Sequence, residues 1–156
     1  MKAYSLLLFF HSLFRWLVLS GLAYALWRGV RGWSGRRAFS STDNKVRHTT
    51  ATLAHVQLVI GYGLYFNSPL VQWFRGHYRE AMRQLPVVFF GLIHILLMTL
   101  AIVLITIGSA SAKRKTADVR KFRTMTLWYL AALVIILLAV PWPFSPFARR
   151  PLFRTF

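Results

Sequence analysis

The chain has 156 residues, 56% of them hydrophobic, with a formal net charge of +17 and a mean hydropathy of +0.49. Its apolar residues fall into four long runs with the cations in the gaps between them, the pattern of a membrane protein rather than of a soluble domain or a nucleic-acid-binding face. The absence of cysteine excludes disulfides, thiolate metal sites, iron–sulfur clusters and covalently attached c-type haem.

The first apolar run covers about residues 4–27, enough to cross a hydrocarbon core of roughly 30 Å. Ala23-Tyr24-Ala25 has the look of a signal-peptide cleavage site. However, the run before it is long and holds His11 and Arg15, so it reads as an uncleaved span. Trp27 and Trp33, with Arg28 and Arg31, mark the far interface. Residues 34–47 read as a polar connection, in which the Ser/Thr/Asp cluster at 40–43 can cap the next helix and Asp43 can reach Arg47 one turn on.

The second span, about 49–70, is the most polar. It carries Thr49, Thr50, Thr52, His55, Gln57 and Gly61-Tyr62-Gly63, a composition expected to face other helices rather than lipid. Asn67-Ser68-Pro69 ends it, and the aromatic and basic loop at 73–85 has room for a short interfacial helix. The third span, about 86–110, starts at Pro86 and places Gly91, His94 and Met98 on one face. A basic loop at 113–123 leads to the fourth span, about 124–140, stopped by Pro141, Pro143 and Pro146. The rest, to residue 156, reads as a basic-aromatic surface tail. The expected fold is all-α: one domain over 1–156, an integral membrane up-down four-helix bundle.

Cation counts set an expected orientation. The connections at 28–47 and 113–123 hold six Lys/Arg each, against seven on the opposite side. The positive-inside rule puts these connections in the cytoplasm and both termini outside.

Histidine depth carries the functional reading. At 1.5 Å per residue, His11 lies about 7 Å and His94 about 6 Å from the middles of spans one and three, both displaced toward the terminal side. Spans one and three are diagonal partners in an up-down bundle. Two imidazoles facing each other at one depth can clamp a planar metal macrocycle, and axial ligation of haem iron is the chemistry that fits. Gly91, three residues before His94, would leave space for a large flat group. The bland reading makes each histidine an interhelical hydrogen-bonding group.

His55 falls about 13 Å away in height, because span two runs the other way, and no histidine stands opposite it at its own depth. His55 is an alternative ligand, for a second haem, and hydrogen bonding to a quinone head or proton transfer is the alternative for His55 and Gln57. Arg15 is a cation inside a span with no acid in any span to neutralise it. A haem propionate, a lipid or quinone oxygen, backbone carbonyls or snorkelling are its candidate partners. There is no carboxylate pair, Ser-His-Asp set or phosphate loop, so no catalytic residue is assigned, and an electron carrier fits better than a stand-alone enzyme.

The segments His-Ser-Leu-Phe-Arg-Trp at 11–16, Asp-Asn-Lys-Val-Arg-His at 43–48, Ala-His-Val-Gln at 54–57, His94 and Pro-Trp-Pro-Phe-Ser-Pro at 141–146 resemble a family of small four-span bacterial membrane proteins loosely labelled cytochrome b-like. That resemblance implies non-covalent haem b and respiratory electron transfer in a bacterial membrane. The expected location is the bacterial inner membrane, and the expected partners are a membrane quinone and other subunits of a redox complex. By analogy with larger cytochromes b, whose diagonal helices carry two histidines each, one haem is implied and not two. The rival expectation is a non-catalytic accessory subunit of a membrane complex with no haem.

Overall fold

The computed structural model describes residues 2–151, which form helices and no strand. The helices are α1 (Lys2–Ser34), α2 (Ser41–Asn67), two short ones, α3 (Pro69–Gly76) and α4 (Tyr78–Ala81), then α5 (Leu85–Arg114) and α6 (Asp118–Ala139). Within α5, Phe89–Ile93 forms a π-helical turn just before His94.

Local chemistry explains the boundaries. Ser40 and Asp43 make a reciprocal capping box at the start of α2: the Asp43 amide donates to Ser40 Oγ at 3.2 Å and the Ser40 amide to Asp43 Oδ2 at 2.9 Å. Ser68 caps α3, whose first residue is Pro69. Helix α6 stops where Pro141 and Pro143 withdraw two amide donors.

The four long helices close a ring. Helix α1 packs on α2 and α6, and α5 packs on α6 and α2, leaving α1 and α5 diagonal. Leu22, Ala25, Ala54, Ala101, Ile105, Phe122, Tyr129 and Ala132 form the main core. Small residues set its tightness: the Phe122 ring lies against Gly32 and the Thr126 side chain against Gly29, so that any Cβ at either glycine would collide. A second cluster, Phe74, Ala81, Val87 and Val88, seats α3 and α4 on the start of α5.

Leu13, Leu17, Val103, Leu130, Val134 and Leu138 point outward and are exposed. Three helices, Tyr4–Ser34, Leu85–Arg114 and Asp118–Ala139, are long and apolar enough to cross a membrane, with mean hydropathies of 1.7, 2.8 and 1.9. Helix α2 is long enough, at about 40 Å, but its polar composition keeps it out of that set.

The ends of the helices differ from the sequence reading. Residues 41–47, expected in a connection, are the first two turns of α2. The Asp43–Arg47 pair is not made. Asp43 instead accepts from Arg28 Nε of α1 at 2.6 Å, while Arg47 is buried and donates to the backbone and hydroxyl of Ser109 on α5 and to Asn44. Both partners lie on other helices or within one turn, and they outcompete the i,i+4 alternative because they fully satisfy two enclosed charged groups. Burial by itself raises the Asp43 carboxyl, but hydrogen bonds from Arg28 and Ser40 outweigh it and hold the group below the ordinary carboxylate range.

Candidate functional site

At the end of the ring where the start of α1 meets the end of α6, the four helices part around a cavity of about 270 Å³. Its walls include His11, Ser12 and Arg15 from α1, Gln57, Gly61 and Tyr62 from α2, and Phe90, His94 and Met98 from α5. The His11 and His94 rings, from the two diagonal helices, stand 6.4 Å apart centre to centre at an interplanar angle of 68°.

The setting of His94 follows from proline chemistry. The Ala139 carbonyl near the end of α6 would ordinarily accept the amide of residue 143, but that residue is proline and has no N–H. The freed carbonyl accepts from His94 Nδ1 at 2.8 Å. A carbonyl can only accept, so Nδ1 carries the proton and Nε2 keeps its lone pair. This is how metal-binding imidazoles are usually oriented. Pro141 frees the Leu137 carbonyl in the same way, and Trp142 Nε1 donates to it at 2.8 Å. His94 also lies against Phe89 and Phe90 of the π turn, at 5.5 and 6.1 Å.

His11 is held differently. Its ring rests on Gly61, where a Cβ would come within 3.2 Å of Cε1. Its Nδ1 is enclosed and has no hydrogen-bond partner. Gln57 Nε2 donates to the His11 backbone carbonyl at 3.0 Å, and Gln57 Oε1 is a second enclosed atom without a partner. Unsatisfied buried polar atoms are rare in folded proteins, and each asks for a function or an absent binding partner. Arg15 Nη2 is 3.4 Å from Ser12 Oγ, with its guanidinium 5.5 Å from the Trp16 ring centre.

Haem can be tested against this donor set. An imidazole nitrogen binds a first-row metal at about 2.0–2.1 Å and the ring centre lies about 1.1 Å behind it, so two rings across one metal stand about 6.3 Å apart. The observed 6.4 Å matches that span. The cavity, at about 270 Å³, falls below the roughly 300–1,000 Å³ range of ligand pockets, and its lining is mostly aliphatic and aromatic. The spacing of the two imidazoles and the apolar lining are what fit the group.

Other sequence expectations fall elsewhere. Gly91 does not border the cavity: the Phe74 ring of α3 fills the space beside it, and its carbonyl accepts from Tyr65 at 3.0 Å. The π turn is the reason, because its extra residue per turn rotates Gly91 off the face that carries His94 and Met98. His55 and Gln57 lie on different faces of α2. Gln57 lines the cavity, whereas His55 is exposed, with Nδ1 on the Ala51 carbonyl at 2.7 Å and Nε2 3.0 Å from Thr106 Oγ1. A quinone or proton site joining His55 to Gln57 therefore has no geometric basis. The exposed Thr52, whose hydroxyl donates to the His48 carbonyl of its own helix at 3.1 Å, also shows that α2 does not turn all its polar residues toward other helices. His77 stacks on Trp73 at 5.3 Å and is exposed.

The tail is not a plain surface segment. Phe147 stacks on Phe89 at 5.8 Å, Ala148 is buried, and Arg150 and Pro151 line the cavity. Residues 152–156 of the expected tail lie outside the described residues. Sequence reasoning missed Arg150, Phe90 and the role of the Ala139 carbonyl. The only advance signal was a proline four residues after Ala139.

No family model, curated protein or solved structure matches the chain.

Proposed function

We propose that the chain is a small b-type cytochrome of the bacterial inner membrane, crossing it four times as an up-down bundle with α2 as the fourth span. His11 and His94 would hold one haem b, and the protein would carry single electrons between membrane quinol and a partner redox subunit. The observation that carries this reading is the 6.4 Å separation of the two imidazoles across a largely apolar cavity. The proton arrangement of His94, fixed by Ala139, supports it.

When bound, haem supplies reversible one-electron chemistry at its iron. The chain's own residues do the rest. Ala139 orients the His94 ring, and a ring held this way is a better donor than a freely rotating one. The Gly61 backbone lets the His11 ring approach α2, and Gln57 ties the backbone at His11 to that helix. Met98, Ile95, Ile102 and Val18 keep water from the deep end of the cavity. The cation excess of the two helix connections supports an orientation with those connections in the cytoplasm and both termini outside.

The test is spectral. The purified chain should be red, with a Soret band and b-type peaks in the reduced-minus-oxidised spectrum. His11→Ala and His94→Ala should each abolish the low-spin spectrum, and His77→Ala should leave it intact. A folded preparation that stays colourless after haem is supplied would sink the assignment and leave the accessory-subunit reading in its place.

A further inference from the structure

Three of the described histidines rest Nδ1 on a backbone carbonyl. His55 uses Ala51 at 2.7 Å and His77 uses Trp73 at 3.3 Å, each one turn back along the chain, and His94 uses Ala139 of α6 at 2.8 Å. His11 does not. Its ring is turned toward α2, where a Cβ at Gly61 would stand 3.2 Å from Cε1 and 3.7 Å from Nδ1. The Nδ1–Cε1 edge of the ring therefore faces α2, and Nδ1 is enclosed with no hydrogen-bond partner.

Gln57 stands one turn before Gly61, on the same face of α2, and borders the same cavity as His11. Its Nε2 donates to the His11 carbonyl at 3.0 Å. A carbonyl only accepts, so the amide cannot be turned the other way round, and Oε1 is left as an acceptor. That oxygen is also enclosed and without a partner. One side chain of α2 and one residue of α1 thus hold two complementary unmet needs. Leaving a buried polar atom unpaired costs about 1–3 kcal/mol. With the His11 proton on Nδ1, the pair is a donor and an acceptor, and one bond meets both needs. The terminal torsion of glutamine is broad and soft enough to close it. With the proton on Nε2, two acceptors share the enclosure and both stay unmet.

We propose that Gln57 is the positioning residue of His11: its Oε1 accepts a hydrogen bond from Nδ1, so that the neutral imidazole carries its proton there and keeps the Nε2 lone pair free. The two diagonal imidazoles then offer the same nitrogen, His94 by way of a backbone carbonyl and His11 by way of a side chain. This deepens the proposed haem site. What the free Nε2 binds rests on that reading; where the His11 proton sits does not.

The experiment reads the tautomer of each histidine in the full chain, purified in detergent without haem. Histidine is isotope-labelled, and imidazole proton–nitrogen NMR correlations are recorded at about pH 8, above the ordinary imidazole range. The His11 signal is the one lost in His11→Ala. It should show the Nδ1–H form. Gln57→Leu should lower its ratio of Nδ1–H to Nε2–H by about tenfold, the scale of one hydrogen bond. Gln57→Glu keeps an acceptor and should restore most of that ratio. His94 is the internal control, since its proton stays on Nδ1 wherever the helices remain packed and Ala139 is in reach. Wild type with His11 in the Nε2–H form overturns the proposal, whether or not any variant folds. So does a His11 ratio indifferent to Gln57→Leu while His94 keeps its signal, the result expected if Arg15, one turn along α1, supplies the bond to Oε1 instead. Iron protoporphyrin IX is then added to the same samples. A Gln57-dependent Nδ1–H form with no porphyrin binding upholds the proposal and overturns the haem reading. Porphyrin binding with His11 in the Nε2–H form does the reverse.

Discussion

The two ends of the helix ring solve opposite problems. At the connection end, enclosed polar groups find partners within the chain: Asp43 with Arg28 and Ser40, Arg47 with Ser109 and Asn44, and Tyr129 with the Arg47 carbonyl at 2.7 Å. Glycines there bring backbones against Phe122 and Thr126 with no room to spare. At the terminal end the helices part, and His11 Nδ1 and Gln57 Oε1 are enclosed but unsatisfied around the cavity. The difference teaches that stability and binding capacity are separated along the axis. Two loops and a buried ionic network hold one end closed, so the other can stay open without unravelling.

This contrast breaks first at Arg47. Arg47→Ala removes the buried cation that joins α2 to α5 and leaves Ser109 without its donor. It should cost about 3 kcal/mol, seen as a large fall in Tm by circular dichroism in detergent. An unchanged Tm would mean the connection end is not the stabilising half. Next comes Gly32→Val, whose side chain would press into the Phe122 ring. Overpacking of this kind should cost about 1–3 kcal/mol, and a Phe122→Leu change in the same chain should recover part of it.

A smaller effect belongs to Asp43, whose partner Arg28 is still 17% exposed through its side chain. Asp43→Asn should cost about 1–2 kcal/mol, between the values for exposed and buried pairs. Its pH dependence has a definite sign. The folded carboxyl titrates below its ordinary value, so its contribution is complete above about pH 4, where the unfolded group ionises, and fades as pH falls through the lower folded value. Wild type should therefore lose Tm below about pH 4, and Asp43→Asn should lose less over that window. Smallest of all is His11→Ala, which removes an unsatisfied group from a cavity wall. It should shift stability by less than about 1 kcal/mol, while abolishing the haem spectrum if the proposed function holds. A large loss of Tm in apo His11→Ala would show that His11 is a packing residue and erase the contrast between the two ends.

Much of the fold was legible in composition. Long apolar runs, aromatic and basic flanks, and prolines at 69, 86 and 141 announced four long helices and their approximate ends. Helix α2 runs past its apolar run because the Ser40–Asp43 capping box sits beyond the hydrophobic stretch, and α6 starts early with the acidic Asp118 in its first turn, neither of which follows hydropathy. Depth along a rigid helix placed His11 and His94 at one height, since a rise of 1.5 Å per residue is a property of the backbone alone. Side-chain direction was less legible. Gly91 lost its expected face to a π turn that no residue spacing signals, and His55 parted from Gln57 because two residues apart on a helix means nearly opposite faces.

By itself, then, the sequence determined the four long helices, their approximate lengths, and the shared height of His11 and His94, because these depend on local backbone geometry and on the transfer of apolar side chains from water. Tertiary structure alone decided what each polar group met. It gave Arg28 rather than Arg47 to Asp43, set the carbonyl freed by Pro143 beside His94, and brought Arg150 into the cavity wall. Those outcomes depend on competition among partners far apart in the chain, and only the packed ring of helices brings the competitors within hydrogen-bonding reach.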